Sequence, residues 1–141
     1  MDEFRTQLSE LMHEIMKKSK DIVENGDYSN LLSLCEQDIT ILVLLTSQEN
    51  LTAKEISNHL KAPKTTIVTA VSRLVKRGYL KRVQNENDRR EMNLQLTEKG
   101  VRLNREHDEY ETLFLDSLVN RWSKDDQKEL ARLLANRKGI K

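Results

Sequence analysis

Nine basic side chains fall between Lys61 and Arg90 (Lys61, Lys64, Arg73, Lys76, Arg77, Lys81, Arg82, Arg89 and Arg90), and only Glu86 and Asp88 oppose them. This segment carries +7 in a 141-residue chain whose total is +1, so the remainder carries −6. Cations gathered this way neutralise phosphates and release condensed counterions, which supplies most of the sequence-independent affinity of a protein for nucleic acid. A solvated charged face would show the same imbalance, and charge alone leaves both possibilities open.

Other reactive residues form no convergent set. His13-Glu14 begins an HExxH-like string, but Lys17 stands where the second histidine is needed, so the metalloprotease motif fails. There is no GxSxG, phosphate loop or dinucleotide fingerprint, and the expectation is a protein that is not an enzyme and uses no cofactor. Cys35 is the single cysteine, which excludes an internal disulfide and a cysteine-based zinc site. It stands near the start of a helix, where the positive dipole end favours thiolate, while Glu36 and Asp38 act against it. Glu106, His107 and Glu111 offer cation-binding side chains one helical turn apart, and a solvated acidic and histidine cluster is the simpler alternative.

The basic segment must be carried by helices. Hydrophobic residues make up 37% and charged residues 33%, with only 4 Gly and 1 Pro, which suits an ordered and mainly helical chain. Phe4, Leu8, Leu11, Met12, Ile15, Ile22 and Val23 recur at three- and four-residue steps and predict an amphipathic helix over 3–24, ending near Asn25-Gly26. Ser33 with Glu36 resembles a capping box ahead of the apolar run from Ile39 to Leu45, which predicts a buried central helix. Thr52 with Glu55 is a second such box, opening a short helix with Ile56 and Leu60 inward. Pro63 suits the first turn of the next helix, whose apolar positions Ile67, Val68, Val71, Leu74 and Val75 run on to Gly78. Two helices joined by so short a turn outline a helix-turn-helix. The period then changes to alternation: Leu80–Gln84 and the inward Met92, Leu94 and Leu96 predict a hairpin with a basic tip. Thr97 caps a long helix bearing Tyr110, Leu113, Phe114, Leu118 and Trp122, and Ser123 opens a last helix with Leu130, Leu133 and Leu134.

From Leu51 to Gly100 the chain resembles the DNA-binding core of the MarR (multiple antibiotic resistance regulator) family. The residues that carry the resemblance are Asp88-Arg89-Arg90 followed by a strand ending in Leu96-Thr97, and the stretch Thr65-Thr66-Ile67-Val68 through Leu74-Val75-Lys76-Arg77-Gly78-Tyr79. It implies a mainly α fold with a small β-hairpin, a winged helix-turn-helix core over 33–100, and dimerisation helices over 1–32 and 101–141, forming a single domain. It also implies a homodimer that binds duplex DNA as a transcription regulator, more often a repressor than an activator, released by a small-molecule effector, oxidant or metal. Lys64, Thr65, Thr66, Thr69 and Arg73 are the expected recognition-helix contacts, and Asp88, Arg89 and Arg90 the expected wing residues. Arg90 would enter a narrow minor groove, while Asp88 would hold an arginine through a bidentate pair. Phe4, Leu8, Leu11, Leu118, Trp122, Leu130 and Leu133 are the expected dimerisation residues.

For an effector pocket the resemblance points to His13 and Met16 on the first helix, with Cys35 as a redox candidate, although peroxide-sensing relatives carry their cysteine in the first helix. Zinc-responsive relatives place ligands near Glu106, His107 and Glu111, but their Gln-Glu-His is matched here by Asp38-Ile39-Thr40. A winged module used only for protein contacts, or for RNA, is the rival class. The six aromatics (Phe4, Tyr28, Tyr79, Tyr110, Phe114 and Trp122) are expected in the core, which argues against single-strand stacking. No apolar run approaches the roughly 20 residues needed to cross a bilayer, and the acidic Met1-Asp2-Glu3-Phe4 opening is unlike a signal peptide, so the expectation is a cytoplasmic protein with no membrane partner.

Overall fold

The computed structural model describes residues 2–136. The elements run α1 (Glu3–Asn25), α2 (Ser29–Leu32), α3 (Glu36–Ser47), α4 (Ala53–Leu60), α5 (Lys64–Lys76), β1 (Leu80–Gln84), β2 (Met92–Leu96), α6 (Glu98–Val119) and α7 (Lys124–Ala135). They divide into one compact unit from Tyr28 to Asp108 and a second made of the flanking segments, up to Asp27 and from Glu109. Among the described residues no helix is long and apolar enough to cross a membrane.

The unit from Tyr28 to Asp108 holds the winged helix-turn-helix. Its core is Ile41, Leu42 and Leu45 of α3, Ile56 of α4, Ile67, Val71 and Leu74 of α5, and Leu80 and Leu94 of the hairpin, all buried. Each such aliphatic side chain contributes about 1.5–3 kcal/mol of burial. The hairpin pairs Leu80 with Leu96 and Gln84 with Met92, and Leu51 adds an antiparallel bridge to Leu94. That bridge ties the α3–α4 connection to the wing through a hydrogen bond from Leu94 N to Leu51 O of 2.8 Å. Asn104 of α6 donates to Leu42 O at 2.9 Å and to Thr46 Oγ1 at 2.7 Å, fixing the start of α6 on α3.

Several local expectations change. The box at Ser33 and Glu36 does not form: Ser33 ends the short α2, which the apolar pattern did not reveal, and Cys35 caps α3 while the Asp38 carboxylate accepts from Cys35 N at 3.4 Å. The Thr52 and Glu55 box forms as expected, each side chain accepting the other's N–H at 3.2 Å. Pro63 sits at the N-cap of α5, one position before the first turn. Val43 and Val68 are exposed, because the inward stripes of α3 and α5 are narrower than their runs of apolar residues.

In the flanking unit, Glu14 on α1 receives a two-pronged ion pair from Arg121, and Ser19 hydrogen-bonds the Tyr110 hydroxyl. The arginine's hydrogen bonds outweigh desolvation and, with its charge, hold the Glu14 carboxyl below the usual range. Neither α1 nor α7 contains a buried residue. Phe4, Leu8, Met12, Met16, Leu113, Leu115, Leu133 and Leu134 are exposed carbon surface. Of the residues expected along one long helix with Tyr110 and Phe114, Leu113 is exposed and Trp122 lies beyond the end of α6. Leu118 is buried within its own chain, so it supports the exposed face and is not itself part of it. Leu11, Trp122 and Leu130 are half-buried.

Candidate nucleic-acid interface

Helix α5 is held by its inward stripe Ile67, Ala70, Val71 and Leu74, at the i, i+3, i+4, i+7 spacing of a single helical face. That phase leaves Lys64, Thr65, Thr66, Val68, Thr69, Ser72 and Lys76 exposed. The turn before α5 is tight: Lys61 takes a left-handed conformation at φ 51°, and the Ser57 hydroxyl donates to Ala62 O at 2.5 Å. At the far end Gly78, at φ 85°, lets the chain leave the helix, and the Thr97 hydroxyl donates to its carbonyl at 2.5 Å. Lys99 adds a hydrogen bond to Arg77 O at 2.7 Å.

Four of the five expected recognition-helix residues, Lys64, Thr65, Thr66 and Thr69, lie on the exposed surface of α5; Thr69 donates its hydroxyl to Thr65 O at 2.9 Å. Arg73 does not join them. Its Nη2 donates to Asp38 Oδ1 at 2.5 Å and its Nε to Asp38 Oδ2 at 3.3 Å, with Nη2 also 3.8 Å from Cys35 Sγ. Asp38 is buried, so the pair is a two-pronged lock between α3 and α5. Burial opposes ionisation of Asp38, but hydrogen bonds from Arg73 and Cys35, together with the arginine's charge, more than offset it and hold the carboxyl below the ordinary aspartate range. Arg77 stays exposed but also has an internal partner, donating to Ser33 O at 2.9 Å.

The wing tip is built by two short acceptors. Asn85 Oδ1 accepts from Asn87 N at 2.8 Å and Asp88 N at 3.1 Å, and Asp88 Oδ1 accepts both Arg90 N at 3.0 Å and Arg90 Nε at 3.3 Å. The expected bidentate pair is therefore replaced by one oxygen serving two donors, which shapes the turn and leaves the Arg90 side chain 92% exposed. So exposed a pair contributes at most about 1 kcal/mol. Arg89 is exposed and has no ion pair among the described residues. Arg82 Nη2 reaches Ser72 Oγ at 3.2 Å, linking the wing strand to the outward face of α5. Ser72 and Arg82 were not singled out from the sequence as contact residues, although the phase set by Ile67, Val71 and Leu74 places Ser72 outward.

The expected effector-pocket residues fall in different units. His13 and Met16 are exposed on α1, whereas Cys35 belongs to the other unit. None of the three lines any of the grooves described on the winged unit, which lie beside Arg102, beside Glu49 and beside Val68. Glu106 and His107 are half-buried on α6, with His107 Nδ1 3.9 Å from Asp108, and the division between the units falls before Glu111.

A helix pair joined by a tight turn, backed by a third helix and followed by a hairpin with a basic tip, defines a winged helix-turn-helix protein of the type that binds nucleic acid. Residues 34–92 match the MarR family, so this segment is a MarR-family domain. It is 35% identical over 103 residues to the transcriptional repressor MprA of Escherichia coli (strain K12), an alignment covering 68% of this chain and 57% of MprA. The matched segment thus spans little more than half of that relative. Among solved structures, the YusO protein from Bacillus subtilis has TM-score 0.78 at 17% identity, covering 94% of this chain and 89% of its own. Streptococcus pneumoniae FabT, solved in complex with DNA, has TM-score 0.74 at 19% identity, covering 94% and 91%. These two likenesses show the fold.

Proposed function

We propose that this protein is a transcription regulator, acting as a repressor in the cytoplasm, that binds duplex DNA as a homodimer and is released by a small-molecule effector. The observation that carries this reading is the shared exposure of the outward α5 face (Lys64, Thr65, Thr66, Thr69 and Lys76) and of Arg89 and Arg90 at the wing tip, within a segment of net charge +7. The helix would enter the major groove, where side chains near its N-terminal end reach base edges, and the wing arginines the adjacent minor groove. The MarR-family domain, the repressor MprA and the DNA complex of FabT support the same reading. Arg73 contributes by holding α5, not by touching DNA. Among the expected dimerisation residues, Phe4, Leu8 and Leu133 remain as exposed anchors, supplemented by Met12, Met16 and Leu134.

Selection of bound duplexes from a random pool tests the proposal. The expected product is an inverted repeat with half-sites about 34 Å apart, one helical turn of DNA. Absence of enrichment at low ionic strength would favour the rival, a winged module used for protein contacts. Replacing Arg90 by alanine should weaken binding to the selected duplex about tenfold or more and reduce the slope of log affinity against log salt by roughly one. An unchanged isotherm across salt concentrations would remove the wing from the interface.

The homodimer has its own test. A second copy covering α1 and α7 would bury carbon that one chain leaves in water, including Phe4 at 67% exposure. Phe4→Glu combined with Leu133→Glu is expected to yield a monomer in sedimentation, with loss of preference for paired over single half-sites. A double variant that still sediments as a dimer would place the interface elsewhere.

A further inference from the structure

The outward face of α5 carries one side chain that phosphate chemistry does not explain. Val68 is 44% exposed, three residues after Thr65 and four before Ser72, in the middle of the stripe turned away from the core. With Val71 beneath it and Met92 and Leu94 of β2 beside it, Val68 lines a groove of about 210 Å³. Lys54, Lys64 and Arg82 also line this groove, against the single acid Glu91. Carbon surrounded by an excess of cations fits an occupant that presents a small apolar group on a polyanionic frame. In duplex DNA that group is the C5-methyl of thymine, displayed in the major groove close to the phosphates. Of the neighbouring hydroxyls, that of Thr69 donates to Thr65 O and that of Ser72 accepts from Arg82.

We infer that Val68 is a specificity-determining residue that reads thymine through its C5-methyl group in the major groove. The inference rests on the DNA-binding reading above and adds to it the base that the centre of α5 selects. An exposed valine gains nothing from water, whereas covering it with a methyl group buries carbon on both sides.

The test uses the full chain and a duplex selected by it from a random pool. Each thymine is replaced in turn by deoxyuridine, which keeps Watson–Crick pairing and removes only the methyl. At one position in each half-site the replacement is expected to weaken wild-type binding about three- to fivefold, the loss that follows from one buried methyl-sized group. Val68→Ala should bind the thymine duplex more weakly and show no difference between thymine and deoxyuridine at that position. Val68→Thr, which keeps a methyl, should retain part of the discrimination. Alanine is the best helix former, so the Val68→Ala variant is expected to keep its fold, as thermal melting followed by circular dichroism will show. Three outcomes would overturn the inference alone: wild-type indifference to every replacement, full discrimination surviving in Val68→Ala, or a selected half-site without an A·T pair. A chain that enriches no duplex would overturn the DNA-binding reading, and this inference with it.

Discussion

Replacing Arg73 by alanine is expected to destabilise the protein by about 2–3 kcal/mol, measured as a lower urea midpoint, because it strands the buried Asp38 carboxylate. The figure lies below the usual range for a broken buried pair because the arginine side chain is itself 36% exposed and part of its interaction is screened. The effect has a defined pH dependence. The folded-state pKa of Asp38 is depressed, so the pair stabilises the protein fully above the ordinary aspartate value of about 3.9, and this stabilisation is lost as pH falls through the lower folded value. In the Arg73→Ala variant the stranded carboxylate gains from protonation. The stability gap between wild type and variant should therefore narrow as the pH is lowered from 6 to 3, and a constant gap would show that the pair does not titrate as argued. DNA binding supplies a third readout: a positioning arginine lowers affinity when removed but leaves the salt slope unchanged, whereas a phosphate contact would reduce the slope by about one.

Gly100→Ala should be nearly as damaging, against the trend of helix propensity. Inside a helix alanine normally exceeds glycine by about 1 kcal/mol. Here a Cβ at position 100 would lie 2.3 Å from Tyr79 O and 3.1 Å from Leu96 Cδ2. Tyr79 O cannot withdraw freely, since it accepts the Thr97 N–H at 3.1 Å, and Thr97 also caps α6 by accepting Gly100 N at 3.1 Å. Relief would shift the base of the wing away from α6, at a cost of about 2–3 kcal/mol after the propensity gain. A variant as stable as wild type in urea denaturation would show that this junction yields easily.

The glycine and the arginine differ in how visible they were beforehand. Gly100 follows Thr97 by three residues, and the sequence marks it only as a weak position in a helix; the approach of the Tyr79 carbonyl arises from chain crossing and leaves no local signal. Arg73 was legible as a cation on the right helix, and its phase relative to Ile67 and Leu74 was available. Its commitment to Asp38 was not, because the partner is 35 residues away on a helix whose start was misplaced. The Ser33 and Glu36 pair satisfied the capping pattern, yet Asp38 made the cap because Leu34 is buried and the helix starts two residues later, from Cys35. Val68 is one of the apolar positions that carry the helix on to Gly78, and helix phase exposes it.

By itself the sequence determined the order of the main helices and the hairpin, the end of α5 shortly before Gly78 and the concentration of positive charge over residues 61–90. These are local properties, set by helical and strand periods, by caps and by composition, and each can be read within a window of about 15 residues. Only the tertiary structure decided which cations stay free and which are spent on internal partners, committing Arg73 to Asp38 and bonding the exposed Arg77 to Ser33 O, while Lys64, Lys76, Arg89 and Arg90 stay exposed. The physical reason is that a buried carboxylate such as that of Asp38 must be satisfied by whatever donor the packing brings to it, and that choice depends on neighbours distant in sequence.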